Sequence, residues 1–412
     1  MTQIHILWFL ALAILGAASG SDGAEKPSWQ AEHEAGWKAL HTKNFAGAET
    51  HFRSALEIAG SLPALRTQTA TSCDDLAYLY LKQGRVADAQ TLATKALSIW
   101  DATQTPSTPS TSLAWSLRNL TDIYVAQAKY ADAQPIAERA LAVTEKLKNS
   151  DPETLHVLMA LGQIYSKQHR AADAEAYYRR ALVLQEKVNG PSETDLAPIL
   201  QGLGGQLRDR GQYVEAETLL RRAIAIQEKA HGRNSREVAA LVQELADSCR
   251  RRGRFGLAEP HYQRALRIRA DALEFDTPEM TATLFGLAET YRGLARYPEA
   301  ERLYKKALAN REKALGSEHP DVAEVLDALA SMDRTRSHLG EAETYCKRAL
   351  EIREKALPPG DPAIAESLEH YAALLRMTRR KDQARKVAAR ALAIRTRSTD
   401  EPAPSRDSGV RP

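Results

Sequence analysis

Ala307-Leu308-Ala309-Asn310-Arg311-Glu312-Lys313-Ala314-Leu315-Gly316-Ser317-Glu318-His319-Pro320-Asp321-Val322-Ala323 contains the end of one helix, a stop and the start of the next. Gly316 tolerates a left-handed cap. His319-Pro320 places a polar residue before a proline at the first helical position. Downstream, Val322, Val325, Leu326, Leu329 and Ala330 form a helical apolar stripe over 320–336. A second helix, about 341–357, carries Ala342, Tyr345, Ala349, Leu350 and Ile352. The same start recurs at Asp151-Pro152, Thr277-Pro278 and Asp361-Pro362, and the same stop near Gly60, Gly190 and Gly232.

Working outward, the Ala-Leu or Ala-Ile pair of this stretch recurs through the chain. Its second residue is Leu56, Leu97, Leu141, Leu182, Ile224, Leu266, Leu308, Leu350 and Leu392, at spacings of 41, 44, 41 and then 42 five times. Such a period signals stacked two-helix units, here nine of them. Three positions stay small at the same interval. They are Ala48 through Ala384 and Ala55 through Ala391 in the second helix (helix B), and Gly36, Ala77, Thr121, Gly162, Gly204, Ala246, Ala288, Ala330 and Ala372 in the first (helix A). A residue kept small in every unit means two backbones approach closely there. The expected fold is an all-α solenoid.

Composition agrees. Only 6% of the 412 residues are aromatic, which argues against a many-stranded β protein. With 56 basic and 53 acidic residues the net charge is +3, so there is no global basic field of the kind nucleic-acid binders carry. Cys73, Cys249 and Cys346 are too scattered for a disulfide framework or a paired-cysteine metal site, and each stands where other units place Leu, Tyr or Phe. They read as small buried hydrophobes. The eleven histidines fall into no HExxH, and no phosphate-binding glycine loop or GxSxG occurs. No catalytic residue, cofactor or metal is expected. Asn119-Leu120-Thr121 matches a glycosylation sequon inside a helix, where it reads as coincidence.

The helix A pattern Leu161-Gly162-x-x-Tyr165, Leu76-Ala77-x-x-Tyr80 and Leu287-Ala288-x-x-Tyr291, followed by the small residue and the Ala-Leu pair of helix B, resembles tetratricopeptide repeats. The period of 42 and the 307–323 stretch are similar to the kinesin-light-chain subtype. The resemblance covers residues 29–395 and implies a right-handed superhelix whose A helices line a concave, peptide-accepting groove. Two family features do not carry over. The light-chain groove asparagine is kept only at Asn119 in the series Asp75, Asn119, Ala160, Gly202, Glu244, Gly286, Ala328, His370. The lysine of the chaperone-type carboxylate clamp is replaced by Asp74, Arg118, Met159, Gln201, Gln243, Phe285, Asp327 and Glu369.

Five residues after the leucine of the Leu-Gly/Ala pair stand Arg208, Arg250, Arg292, Arg334 and Arg376, each 42 from the next. Guanidinium forks match carboxylates, so this ladder suggests an acidic peptide segment as partner. The competing reading is helix-end electrostatics, with Asp247 and Glu289 three residues before Arg250 and Arg292. Trp115, Arg118 and Asn119 complete the candidate groove set. Trp115 serves either as an aromatic anchor or as packing. A basic residue two before the last residue of the Ala-Leu pair, as at Arg139, Arg222, Arg264, Arg348 and Arg390, points to pairing between units on the outer face.

The N-terminus stands apart. Ile4 to Ala18 is apolar except for His5 and Gly16, and Ser19-Gly20-Ser21 follows. This reads as a secretory signal over 1–20, although its first residues lack Lys or Arg. An uncleaved N-terminal anchor is the alternative. A linker over 21–28 and a disordered Pro-, Ser- and Arg-containing tail over 396–412 flank the repeats, and no later segment reaches spanning length. The expected function is an exported, periplasmic or secreted scaffold that binds a protein or peptide in its groove, without nucleic acid. The alternatives are a structural spacer or oligomer-forming element of a cell-envelope assembly, or a cytoplasmic signalling adaptor. A proline-bearing stretch, Pro106 to Thr111, accounts for the spacing of 44 and is a candidate hinge.

Overall fold

The structure, a computed structural model, describes residues 28–103, 110–147, 151–189, 194–274 and 276–400. The expected leader over 1–20 and most of the candidate hinge lie outside the described residues. The chain divides into two compact units, Met1–Ser150 and Asp151–Pro412. Among the described residues the fold is all-α, a tetratricopeptide-type solenoid of helix pairs.

The first unit holds three pairs: α1 (Trp29–His41) with α2 (Phe45–Gly60), α3 (Arg66–Lys82) with α4 (Val86–Thr103), and α5 (Thr111–Ala126) with α6 (Tyr130–Thr144). The second holds six. They are α7 (Asp151–Lys167) with α8 (Ala171–Asn189), α9 (Leu196–Asp209) with α10 (Tyr213–His231), and α11 (Arg236–Arg251) with α12 (Phe255–Asp271). These are followed by α13 (Pro278–Gly293) with α14 (Tyr297–Leu315), α15 (Pro320–Thr335) with α16 (Leu339–Ala356), and α17 (Pro362–Met377) with α18 (Lys381–Asp400). The last helix therefore continues five residues into the stretch expected as tail.

Helix starts follow the sequence signals. Thr277, His319 and Asp361 cap their helices by accepting from the backbone N–H of Met280, Asp321 and Ala363. At the far ends Gly232 and Gly316 take φ of +87°. Gly60 does not. It ends α2 in helical conformation, and Ser61 closes the turn by donating its backbone N–H to Glu57 O. Between the two helices of each pair the chain turns through one left-handed residue: Lys43, Gly84, Ala128, His169, Gly211, Gly253, Ala295, Ser337 or Arg379. All nine are exposed, and only three are glycine.

The core lies between paired helices and against the next pair. Ala48, Ala89, Ala133, Ala174, Ala216, Ala258, Ala300 and Ala342 are fully buried, as the constant small size required. Gly162, Gly202 and Gly286 of the A helices make room for a ring on helix B. A Cβ on Gly162 would lie 2.8 Å from Tyr178 of its own pair, and one on Gly202 of the following pair 2.5 Å from the same ring. Tyr262 presses on Gly286 in the same way, at 2.5 Å. The three cysteines are buried free thiols, and burial pushes Cys73 and Cys249 up to about 11 and Cys346 up to about 12.

On the outer face Arg222–Glu186 (2.8 Å), Arg264–Glu228, Arg348–Glu312 and Arg390–Glu354 (2.5 Å each) join neighbouring pairs, 36 residues apart, and Arg139–Asp101 is the counterpart in the first unit. Such exposed pairs are worth roughly 0–1 kcal/mol each. Their regularity ties this cation to its neighbour.

Candidate functional site

In the second unit the last turns of α9, α11, α13, α15 and α17 carry Arg208, Arg250, Arg292, Arg334 and Arg376. The five share a register but not an environment. Arg208 lies 3.2 Å from Asp209 and 3.8 Å from Glu244. Arg250 donates to Tyr262 Oη (3.0 Å) and sits 3.5 Å from Asp247, to which Tyr262 also donates. Arg292 forks onto Glu289 (3.2 and 2.7 Å), which also accepts from Tyr304.

Asp247-Arg250-Tyr262 and Glu289-Arg292-Tyr304 are thus one triad repeated 42 residues on. A carboxylate and a phenol hold each guanidinium, and both tyrosines are pushed well above the usual phenol range by burial and then by the carboxylate. One repeat later the same three places hold Ser331, Arg334 and Cys346. Acid and phenol are both gone, and Arg334, half-buried, forms no ion pair among the described residues. Arg376 is exposed and has no ion pair either, beside a small hollow it shares with Glu369 and Arg395.

A groove of about 650 Å³ lies beside this register, bounded by α13, α15 and α17 together with residues near helix ends. Phe285, Glu289, Arg292, Asp327, Ser331 and His370 are among its walls. Six carboxylates face it against three guanidinium groups and one imidazole, so the lining is mixed and acid-rich. Asp327 is buried. Its Oδ2 accepts from Arg353 (2.6 Å) and Ser367 (3.0 Å), while Oδ1 has no hydrogen-bond partner and lies 3.6 Å from His370 Nδ1. That carboxylate raises the His370 pKa against the effect of burial.

The remaining candidates belong to the first unit. Trp115 is half-buried in an aromatic cluster with Tyr78 (5.4 Å between centroids) and Trp37 (6.2 Å), under the Arg118 guanidinium (4.8 Å). Arg118 approaches Asp122 at 3.9 Å. Asn119 is not a surface group. It is 1% exposed and donates to the backbone oxygen of Asp74 (3.3 Å), so it braces α5 against α3. Ser116 and Trp100 both donate to the Asp74 carboxylate, at 2.9 and 3.0 Å. The Ser116 and Asn119 bonds to Asp74 join the two sides of the candidate hinge stretch.

A second ladder escaped the sequence reading. Arg269, Arg311, Arg353 and Arg395 stand on helix B, 42 apart, each 26 residues after a helix A position. Arg269 donates to Gln243 and Thr283, Arg311 covers the Phe285 ring at 5.3 Å, Arg353 bonds Asp327, and Arg395 forks onto Glu369 (2.5 and 2.8 Å). The signal was present as Arg269, Arg353 and Arg395 each following an isoleucine. Its meaning lay in the partner, which is on another helix.

No curated protein matches the sequence. Among solved structures the chain is similar to kinesin light chain TPR-like repeats of Podosopora anserina (23% identity over 51% of this chain and 99% of that one, TM-score 0.45). It is also similar to BtubC (BKLC) from P. vanneervenii (21%, 59% and 96%, TM-score 0.46). A Rap protein complexed with Competence and Sporulation Factor matches over 80% of this chain and 99% of its own at 14% identity, TM-score 0.52. At 14% identity this last likeness speaks to fold alone. The Tetratricopeptide repeat family matches residues 75–146, 110–187, 195–271, 279–355 and 339–397. The chain belongs to the tetratricopeptide repeat family.

Proposed function

We propose that this protein–protein interaction scaffold holds an extended segment of a partner along the helix A face of its second unit, in the groove bounded by α13, α15 and α17. The observation that carries the proposal is the break in the triad at Ser331-Arg334-Cys346, which leaves Arg334, like the exposed Arg376, without an internal carboxylate, at a register whose Ser331 lines the groove. An arginine held at half burial without a counter-ion favours an anionic ligand. The expected acidic partner is accordingly narrowed. Arg250 and Arg292 are already neutralised, and Glu366 faces the groove exposed and without an ion pair. The segment that fits carries one acidic side chain for Arg334 amid neutral or basic residues, rather than an acidic run. The Rap protein complexed with Competence and Sporulation Factor supports the reading that such a scaffold takes up another molecule.

A random peptide display library selected on the full chain tests this. The selected peptides are expected to share an Asp or Glu, to lose about ten-fold or more in affinity on Arg334→Glu, and to recover when that acid is changed to Lys. Undiminished affinity for folded Arg334→Glu would overturn the proposal. Export through the apolar leader is part of the same proposal. Amino-terminal sequencing of the protein from fractionated cells would show a start near Ser21 if the leader is cleaved, and Met1 or Thr2 if it is not.

A further inference from the structure

Three units build the same small constellation at the turn between helix A and helix B. A tyrosine ends helix A, an arginine five residues on lies over its ring, and an acid three further on binds that arginine. Arg85 stands 3.7 Å from the Tyr80 ring and 3.0 Å from Asp88. Arg170 stands 4.4 Å from Tyr165 and 2.8 Å from Asp173. Arg296 stands 4.3 Å from Tyr291 and 2.9 Å from Glu299. One repeat after the last of these, the three places hold Asp333, His338 and Glu341. The ring has become a carboxylate and the permanent cation a metal-competent imidazole, while the acid is kept.

These three groups converge. One ligand atom from each lies within 4.8 Å of the others. Asp333 is 2% exposed, and its Oδ1 accepts no hydrogen bond; the nearest basic nitrogens are Arg336 Nη1 at 3.6 Å and His338 Nδ1 at 3.9 Å. A carboxylate buried so deeply without a donor needs a partner. Arg336 does not supply it, because it is drawn to Glu301 at 2.7 Å. Arg296 and Arg380, five residues on in their own units, make the equivalent bond to the preceding helix B at Glu259 (2.8 Å) and Glu343 (2.5 Å). With Arg336 taking that task here, His338 is released from it. The turn that presents His338 is closed by its backbone N–H donating to Asp333 O at 2.8 Å.

We infer that Asp333, His338 and Glu341 form a binding site for a divalent transition cation of the Zn²⁺ class, on the turn joining α15 to α16. One imidazole and two carboxylates without a thiolate suit such an ion, and water completes its coordination. The cation neutralises the buried carboxylate and pins the start of α16 to the end of α15.

The test is calorimetric titration of the full chain with Zn²⁺ alone, and its visible absorption with Co²⁺. Wild type should take up one ion that His338→Arg binds at least about ten-fold more weakly. The double variant Asp333→Tyr with His338→Arg rebuilds the arginine-on-tyrosine arrangement of the other units. It should keep the circular dichroism of wild type, lose the Co²⁺ bands, and lose the rise in melting temperature that Zn²⁺ gives wild type. Equal uptake by wild type and folded His338→Arg would place the ion on other histidines and overturn the inference. No uptake by wild type would overturn it as well.

Discussion

Gly286→Ala adds a single methyl to α13, and the structure sets its cost. The new Cβ would stand 2.5, 2.6 and 2.7 Å from Cε1, Cζ and Oη of Tyr262. Comfortable carbon contacts are about 3.5–4.0 Å, so ring and helix must part by about 1 Å. The ring has no easy retreat. Tyr262 is fully buried, and its hydroxyl is held by Asp247 and by Arg250 at 3.0 Å. Overpacking of this kind costs about 1–3 kcal/mol, offset by up to about 1 kcal/mol from alanine's better helix propensity. The net expectation is a destabilisation of up to about 2 kcal/mol. Gly205→Ala in α9 is the control, since its Cβ would find nothing closer than 3.9 Å. That variant should gain up to about 1 kcal/mol. Urea midpoints of the two variants, with amide exchange over α12 and α13, measure the difference without relying on two-state unfolding of a long array. A double-mutant cycle with Tyr262→Ala should show the pair costing less than its two singles summed. Gly286→Ala as stabilising as Gly205→Ala, or strictly additive with Tyr262→Ala, would refute the reasoning.

Three further outcomes follow from the same geometry. Burial raises the Asp74 pKa well above the usual range, although Trp100 and Ser116 donate to it. Its folded pKa exceeds its unfolded one, so its contribution falls as pH rises from the ordinary carboxylate range toward the raised value. Asp74→Asn should therefore stabilise the first unit at neutral pH and bring no gain at about pH 3, as thermal melts at the two pH values would show. Cys73, Cys249 and Cys346 should resist a thiol reagent at pH 8 while the protein is folded and react together once it unfolds in denaturant. Ala300→Leu, at a fully buried small site, should cost about 1–3 kcal/mol by overpacking, read as a lowered melting temperature.

What the sequence made legible is what repeats within one helix or at its ends. The period, the paired helices, the small packing sites, the Thr277, His319 and Asp361 caps and the outer Arg–Glu pairs are all local or strictly periodic signals. The glycines at 202 and 286 were seen as places where a groove asparagine is missing. Their reason is a tyrosine 24 residues earlier on another helix, and no window of local sequence contains that contact. The arginine ladder was visible as a register. Its partition into held and unpaired members depends on Tyr262, Tyr304 and Cys346, which stand 12 residues away on the facing helix. Asn119 shows the converse: its residue type suggested recognition, and its depth makes it a brace. The left-handed turn residue went unread because a non-glycine occupies it in six of nine turns. There the flanking helices impose the conformation on residues that do not prefer it.

That turn position makes the chain an addressable ruler. Lys43, Gly84, Ala128, His169, Gly211, Gly253, Ala295, Ser337 and Arg379 are nine solvent-facing points, one per helix pair, with the same backbone geometry at each. Because the native thiols are buried, a cysteine introduced at any two of them gives the only reactive handles for a pair of dyes or spin labels. Labels at Ala295 and Ser337 gauge one repeat inside the second unit. Labels at Ala128 and His169 straddle the division after Ser150, and their distance distribution reads directly how freely one compact unit moves against the other.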